Sequence, residues 1–252
     1  MRCMFTSQKL FDDDLPDVRV GIGRGTGRGV VEESIRATAT GNVTVYDDPQ
    51  RLVDDLVGGR IDAAVRGDMS SSKVLPLLKK ATGVSSLERL VLLEPRRNKL
   101  IFMAPVGIDE GWTVEQKHDM VRRALALMGR LGAGSRVAIM SGGRAEDKGR
   151  CPPVDRSIDD ADELVGILRS EGVDAYNSQI LIEEAMAEAD LVIAPDGITG
   201  NIVFRALHFI GDTRALGAPI LNIDKVFVDT SREKLDYSDS VHLAMRLCGV
   251  GR

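Results

Sequence analysis

The sequence has few of the side chains that build metal sites or disulfide frameworks. Its three cysteines, Cys3, Cys151 and Cys248, lie far apart and form no CxxC pair, and its three histidines are equally scattered. Structural zinc sites bring such ligands together at short spacings. We therefore expect no metal site and no disulfide framework, which is typical of a protein in the reducing cytoplasm.

The chain also lacks a long apolar run, a basic excess and a secretory leader. No segment approaches the roughly 18 apolar residues of a membrane span. The 33 Lys and Arg residues against 38 Asp and Glu give a formal net charge of −5, which provides no general attraction to nucleic acid. The first residues have no apolar core and soon turn acidic. The sequence thus predicts a cytoplasmic protein that binds neither a membrane nor nucleic acid.

What is present is an ordinary globular composition of 252 residues, with 43% hydrophobic and 28% charged residues. Short β-rich runs alternate with longer amphipathic runs, which is typical of an α/β fold with crossover helices. Thr113 and Gln116 form a capping box that predicts the start of the clearest helix. We expect an N-terminal extension over residues 1–17 and one domain over residues 18–252, with a change of subdomain near residues 105–112.

A glycine-rich segment, GIGRGTGRG at residues 21–29, follows the first predicted strand. Backbone N–H groups between a strand and a helix can bind phosphate, but this glycine spacing matches neither the dinucleotide fingerprint nor the P-loop. We expect a flexible turn whose charged residues, Arg24 and Arg28, make it soluble. GIGRG at residues 21–25 also matches a G-x-G-x-G loop for S-adenosylmethionine, which is a weaker alternative.

A second loop, SGGRAEDKGR at residues 141–150, follows a predicted strand, which is where ligands bind in open α/β sheets. Its hydroxyl, amide and cationic groups would suit an anionic ligand. The alternative is a solvated loop, because Glu146 and Asp147 neutralise part of the positive charge. The residues predicted here to bind substrate are Ser141, Gly142, Gly143, Arg144 and Arg150.

The turn APDGITGN at residues 194–201 also joins a predicted strand to a helix. Asp196 and Asn201 are suited to hold the turn or the helix start, while Gly197 and Gly200 would let a ligand approach the backbone. Judged by its spacing alone, such a segment is more often a structural turn than a binding site. Asp196, Gly200 and Asn201 complete the predicted substrate-binding set.

The segment VDTSREKLDYSD at residues 228–239 places Ser231 and Arg232 after the last predicted strand, with Asp236 and Asp239 close behind. A hydroxyl, a guanidinium and a carboxylate could together bind phosphate and move a proton. No histidine lies nearby to complete a Ser-His-Asp nucleophile. An N-capped terminal helix would explain the same residues without a catalytic role.

Several of these segments, in this order, resemble the phosphate acetyl/butyryl transferase family. LVIAPDGITGNIVFRAL is similar to the family's strand and turn of "PD", three residues and "GNI". VDTSRE resembles its later "DLSRG" turn, IDAAVRGDMSSSKVL its upstream "GNVST" region, and RVAIMSGGR the strand before its serine-rich loop. The resemblance covers nearly the whole chain from about residue 18. Within the family, the chain is most similar to the methanogenesis marker protein 4, or methyltransferase-related MtxX, branch.

The resemblance implies an α/β fold of two subdomains, isopropylmalate-dehydrogenase-like (phosphotransacetylase-like), with mostly parallel sheets and crossover helices. It implies an active cleft between the subdomains, a homodimer, and acyl transfer between phosphate and coenzyme A, which is then a substrate. The cofactor is otherwise unknown. Ser231 and Arg232 match the residues that stabilise the phosphate and the oxyanion. Ser238 occupies the place of the catalytic aspartate, so Asp239, or alternatively Asp236, is expected to be the base.

Three departures from the family pattern bear on the substrate. Glu233 replaces the glycine after the serine and arginine, and Phe204-Arg205 stands where the family has Tyr-Lys. A third departure is that SGGRAEDKGR replaces a mostly small, hydroxyl-rich loop. The sequence therefore predicts an acyltransferase-like enzyme that acts on a small anionic substrate. A methyltransferase-related protein linked to methanogenesis and a non-catalytic ligand-binding or regulatory subunit are the alternatives.

Overall fold

The computed structural model describes residues 4–12, 14–25, 29–38, 42–95 and 99–250. The chain forms two compact units, in which residues 1–7 and 88–215 make unit 1 and residues 8–87 and 216–252 make unit 2. The chain therefore leaves unit 2 after Leu87 and returns to it at Leu216. Residues 105–112, where the sequence indicates a change of subdomain, lie inside unit 1.

Unit 2 contains a mostly parallel sheet and the helices that connect its strands. The strands are β1 (Val20–Gly23), β2 (Val43–Tyr46), β3 (Ala63–Val65), β9 (Arg214–Pro219, which begins in unit 1) and β10 (Val226–Asp229). Their order is β2-β1-β3-β10-β9, and β9 alone among these described strands runs antiparallel to its neighbour, β10.

The helices of unit 2 include four that connect or cover these strands. They are α2 (Val30–Thr38), α3 (Pro49–Val57), α4 (Ser71–Thr82) and α9 (Ser238–Gly249), and a short α1 (Ser7–Phe11) begins at the unit boundary. The last of them, α9, packs against β1, β3 and β10, while α3 packs against β1 and α4. The core between α3, α4 and the sheet includes Leu52, Leu56, Leu78 and Phe227, all buried.

Unit 1 has the same architecture. Its strands are β4 (Val91–Glu94), β5 (Ile101–Ala104), β6 (Val137–Met140), β7 (Ala175–Gln179) and β8 (Leu191–Ile193). Their order is β4-β5-β8-β6-β7, antiparallel at β4 and β5 and parallel elsewhere. Its helices are α5 (Val114–Leu131), α6 (Pro152–Ser170), α7 (Ile182–Glu188) and α8 (Gly197–Phe209).

Local capping residues define several helix ends. The Asp48 side chain accepts a hydrogen bond from the Gln50 amide at 2.9 Å, which begins α3. The Thr113 hydroxyl accepts one from the Gln116 amide at 3.2 Å, as the capping box predicts for α5. Gly132 ends α5 with a φ of 72°, a left-handed conformation that favours glycine. No helix of the described residues is long and apolar enough to cross a membrane.

Part of the predicted N-terminal extension is packed into the fold. The Phe5 ring stacks on Phe102 with a centroid distance of 6.3 Å, and the Phe5 carbonyl accepts a hydrogen bond from the Leu100 amide at 2.7 Å. Leu10 on α1 is also buried. Phe5 therefore belongs to the hydrophobic core of unit 1 and Leu10 to that of unit 2.

Candidate functional site

The parallel strands of unit 2 end at a common edge of the sheet. Ile22 of β1 and Val228 of β10 both pair with Val65 of β3, so the three strands finish at one level. Gly23, Arg66 and Asp229 are the next residues along each strand. Ligands in open α/β sheets bind beyond such carboxyl ends, and the segment with Ser231 and Arg232 begins here.

A buried ion pair joins two of these strand ends. The Arg66 Nε donates to an Asp229 carboxylate oxygen, and both side chains are more than nine-tenths buried. The same Asp229 oxygen accepts the Thr230 amide at 2.9 Å, and the Arg66 guanidinium also donates to the Met69 carbonyl at 2.6 Å. Each charge is compensated within the protein, so the pair fixes the path of the chain into Ser231. No motif in the sequence singles out either residue, although an arginine directly after a buried Ala-Ala-Val strand is a usable signal.

The described part of the glycine-rich segment is held in place by contacts. Gly67 has a φ of +61°, and a Cβ added there would overlap the Gly23 carbonyl oxygen. The Gly25 amide donates to an Asp68 carboxylate oxygen at 2.5 Å. The close approach of two backbone segments therefore accounts for Gly23 and Gly67. Residues 26–28, which include Arg28, lie outside the described residues.

Arg24 forms ion pairs with two carboxylates. Its guanidinium donates to Asp47 at 2.7 and 2.8 Å and also bonds Glu32. These hydrogen bonds from Arg24 hold the pKa of the Glu32 and Asp47 carboxyls below their usual values. Arg24 is thus committed to acidic neighbours rather than to an external anion.

Ser231 and Arg232 lie in the turn after β10. Ser231 is half-buried, its hydroxyl accepts the Glu233 amide at 3.3 Å, and its carbonyl accepts the Tyr237 hydroxyl at 3.0 Å. Arg232 is exposed, and its guanidinium has no ion pair or hydrogen bond within the described part of the chain. This turn therefore presents a free cation beside a hydroxyl that the backbone holds in place.

The two candidate aspartates have different environments. The Asp236 oxygens accept the Ser238 amide and the Ser238 hydroxyl, both at 2.8 Å. Burial alone would raise the pKa of Asp236, but these hydrogen bonds lower it below its usual value. Asp236 thus holds the start of α9, whereas Asp239 is half-buried in the first turn of that helix.

Tyr237, between these aspartates, anchors the turn to α2. Its backbone amide donates to the Ser34 hydroxyl at 2.8 Å, and its ring is fully buried. Burial raises the pKa of its hydroxyl well above the usual value, so the group stays protonated and donates to the Ser231 carbonyl. No motif in the sequence singles out this residue.

In unit 1, the loops after β6 and β8 also meet at one sheet edge, because these strands are parallel and Ile139 pairs with Ile193. The Ser141 hydroxyl is buried and donates to the Gly143 carbonyl at 2.8 Å. The Gly142 amide donates to the Ser157 hydroxyl on α6 at 2.7 Å. Ser141, Gly142 and Asp196 line a cavity of about 400 Å³, so the structure brings these three predicted residues together.

Two of the three cationic side chains in the loop at residues 141–150 form ion pairs with local carboxylates. Arg150 pairs with Asp147 at 2.9 Å, and Lys148 pairs with Asp159. The Arg144 amide donates to Asp147 at 2.8 Å, and the Arg144 side chain is exposed. Gly143, Arg144 and Arg150 do not line the cavity. These contacts are those of the solvated-loop alternative, and the binding roles of Gly143, Arg144 and Arg150 stay predictions.

The residues of the turn at 194–201 attach α8 to the loop after β5. Asp196 caps α8 by accepting the Thr199 amide at 2.8 Å, and the Asn201 side-chain amide donates to the Val106 carbonyl at 2.8 Å. A Cβ on Gly200 would overlap the Pro105 carbonyl oxygen. The close approach at Gly200 is therefore made by protein backbone, and neither Gly200 nor Asn201 lines the cavity. Their binding roles stay predictions.

Within the described ranges there is no group of three or more His, Cys, Asp or Glu side chains placed to hold a metal ion. The chemistry that the two edges offer is that of hydroxyl, carboxylate and guanidinium groups. The unit 2 edge has a free guanidinium, whereas the unit 1 cavity has a carboxylate.

Several archaeal proteins are similar to this chain over most of its length, although no protein-family model matches it. A protein of Methanosarcina mazei is 41% identical to this chain over 207 residues, which are 82% of this chain and 74% of that protein. It carries the provisional name of methyltransferase mtx subunit X. A Methanosarcina barkeri protein of the same name is 37% identical over 225 residues, which cover 89% and 83% of the two chains. An uncharacterized methyltransferase of Methanocaldococcus jannaschii is 38% identical over 75% of this chain and 80% of its own.

Solved structures establish the fold. A branched-chain phosphotransacylase from Enterococcus faecalis superposes with a TM-score of 0.72 at 18% identity, covering 92% of this chain and 99% of that one. A phosphotransacetylase from Streptococcus pyogenes gives 0.67 at 14% identity over 96% of each chain. The predicted isopropylmalate-dehydrogenase-like, phosphotransacetylase-like fold is confirmed. The archaeal relatives show that the chain belongs to the family of methanogen proteins named methyltransferase mtx subunit X.

Proposed function

We propose that this protein is a transferase that moves an acyl group between phosphate and the thiol of coenzyme A, using the segment Ser231–Asp239. The observation that carries the proposal is the exposed Arg232 guanidinium, which has no partner among the described residues and follows a half-buried serine. Guanidinium groups bind phosphate in a bidentate manner, and the turn lies at the carboxyl end of a parallel strand. The likeness to phosphotransacylase structures supports a fold suited to this reaction.

In the proposed reaction, the Asp239 carboxylate takes the proton of the thiol. The thiolate attacks the carbonyl carbon of the acyl phosphate, the bond from that carbon to the phosphate oxygen breaks, and inorganic phosphate leaves. Arg232 stabilises the phosphate and the Ser231 hydroxyl donates to the developing oxyanion. The Asp236 oxygens accept hydrogen bonds from the Ser238 amide and hydroxyl, so the proposal gives Asp236 the role of holding the start of α9.

Coenzyme A-dependent turnover of acetyl, propionyl and butyryl phosphate tests the proposal. The wild type is expected to consume thiol, and Arg232→Ala to lose at least about 100-fold in kcat/KM. Arg130→Ala is the matched control, because Arg130 is an exposed arginine of α5 in the other unit. Absence of turnover with all three acyl phosphates, together with absence of coenzyme A binding by calorimetry, would overturn the proposal.

Methyl transfer linked to methanogenesis is the second candidate, because an archaeal relative that is 41% identical carries the name of a methyltransferase subunit. Saturable binding of S-adenosylmethionine in equilibrium dialysis, without turnover of acyl phosphates, would favour it. A third candidate is a non-catalytic ligand-binding subunit. It is favoured by Ser238, which occupies the place of the catalytic aspartate of the phosphate acetyl/butyryl transferase family. Binding of coenzyme A without turnover would favour that function.

A homodimer formed through α8 is the proposed assembly. Of the residues of α8, only Gly197 and Gly200 are buried, while Ile198 and Ile202 are 46% and 62% exposed. Apolar patches of this kind on a surface mark protein interfaces. Arg205 is the one charged residue of α8 and lies over the Phe209 ring, so a second copy can meet this face with little repulsion.

A further inference from the structure

The cavity of unit 1 differs in character from the arginine-bearing turn of unit 2. It measures about 400 Å³ and lies where β6, β7 and β8 end. Its walls are mainly apolar side chains, among them Met140, Val154, Ile182 and Val203. Pockets of this size with apolar walls and a few polar groups are typical of small-molecule sites.

Two of the three helices that begin at this cavity, α6 and α8, offer little to an anion. The first two residues of α6 are Pro152 and Pro153, which have no backbone N–H. The next amides, of Val154 and Asp155, both donate to the Cys151 carbonyl at 3.1 Å. The N-terminus of α6 therefore lacks the free N–H groups that bind anions at other helices.

At the start of α8, the carboxylate of Asp196 occupies the position that a bound anion would take. Asp196 lines the cavity and accepts the Thr199 amide at 2.8 Å and the Thr199 hydroxyl at 3.1 Å. The Gly197 amide is also occupied, because it donates to the Glu110 carbonyl at 3.0 Å. A second carboxylate or a phosphate here would face the negative charge of Asp196 at close range.

No cationic side chain among the described lining residues offsets that charge. The buried Lys117 lies behind the wall, where its ammonium donates to the Pro195 carbonyl at 3.2 Å and to Asp160 at 3.3 Å. The cavity thus combines apolar walls with one carboxylate. Each oxygen of that carboxylate has a second lone pair that can accept a hydrogen bond.

We infer that this cavity binds an uncharged, largely apolar group that bears an N–H or O–H donor for Asp196, and that it excludes phosphate and carboxylate groups. Such a group would be an alkyl amide, an alkyl alcohol or a similar part of a larger ligand. The inference concerns unit 1 alone and holds whether or not acyl transfer takes place at Ser231. The sequence indicates an anionic ligand for the loop at residues 141–150. The cavity that this loop lines is proposed to bind a neutral ligand instead.

Butyramide and butyrate provide the test, because they have nearly the same shape and differ in charge. Binding to the full chain at neutral pH is measured from backbone amide shifts in NMR. Butyramide is expected to shift the Gly142 and Thr199 amides saturably, and butyrate to bind at least about tenfold more weakly. Equal or tighter binding of butyrate, or no saturable shift at these amides with butyramide, would overturn the inference.

Three variants assign the effect to the cavity. Asp196→Asn retains a capping residue without the charge, and it is expected to reduce the preference for butyramide over butyrate to less than about threefold. Val203→Phe fills the cavity and should abolish the butyramide shifts. Glu163→Gln removes an exposed carboxylate from α6 outside the cavity and should leave the preference unchanged. An unaltered preference in Asp196→Asn would contradict the role given to its charge.

Discussion

Arg66 and Asp229 form a buried ion pair that joins the ends of two neighbouring parallel strands, although 163 positions separate them in the sequence. Their side chains are 7% and 8% exposed. Two residues after Asp229 comes Ser231, so the pair determines where the candidate catalytic turn leaves the sheet. The stability of unit 2 and the placement of its candidate site therefore depend on the same contact.

Removing either partner is expected to destabilise the protein strongly. Arg66→Met would leave the Asp229 carboxylate buried without its counter-charge, at a cost of about 3–5 kcal/mol in the free energy of unfolding. Asp229→Asn should cost a similar amount because it leaves the guanidinium uncompensated. Urea unfolding followed by circular dichroism measures both. The double variant Arg66→Met, Asp229→Leu should recover part of the loss.

The Arg19 and Asp62 pair is the matched control in the same unit. Its side chains are 56% and 36% exposed, so Arg19→Met should cost much less stability than Arg66→Met. If Arg19→Met and Arg66→Met destabilised the protein equally, burial would not be the cause of the effect at Arg66.

Local signals in the sequence predicted much of this fold. Asp48 and Thr113 predict the starts of α3 and α5, and Gly132 predicts the end of α5, because caps act over three or four residues. The alternation of short and long apolar runs predicted the α/β class in the same way. These features need no knowledge of distant contacts.

Other features depend on tertiary contacts and were missed. α8 begins at Gly197 rather than Asn201, because Gly197 and Gly200 pack against the backbone of the loop after β5. The spacing of apolar residues predicts a helix over residues 159–170, but α6 already begins at Pro152, since proline is tolerated in a first turn. The pairing of Arg66 with Asp229 follows from strand order, which spacing along the chain does not reveal.

Gly200 is expected to tolerate no side chain. In Gly200→Ala the new methyl group would overlap the Pro105 carbonyl oxygen, and we expect a loss of about 1–3 kcal/mol in the free energy of unfolding. Gly166→Ala is the control, because Gly166 lies in α6 with open space around its Cβ position. It should be neutral or stabilise the protein by up to about 1 kcal/mol. Thermal unfolding of both variants decides, and equal stability of the two would contradict the packing argument.

The cluster around Arg24 predicts a defined pH dependence. Hydrogen bonds from Arg24 hold the pKa of Glu32 and Asp47 below their unfolded values. Such carboxyls contribute stability that is present above the unfolded pKa of about 4 and is lost as pH falls through the folded pKa. The difference in unfolding free energy between the wild type and Arg24→Gln should therefore be constant near neutral pH and shrink below about pH 4. Urea titrations at a series of pH values measure it, and a constant difference throughout would contradict the assignment.

Ile202 on α8 is expected to hold the proposed dimer together. An aspartate in its place would put a charge at the centre of an apolar face, and burial of one isoleucine is worth about 1.5–3 kcal/mol. Sedimentation equilibrium should show Ile202→Asp raising the dimer dissociation constant by at least about tenfold. Leu235→Asp is the control, since Leu235 is 78% exposed in unit 2, outside α8. A monomeric wild type, or an equal effect of the two variants, would mean that α8 does not form the interface.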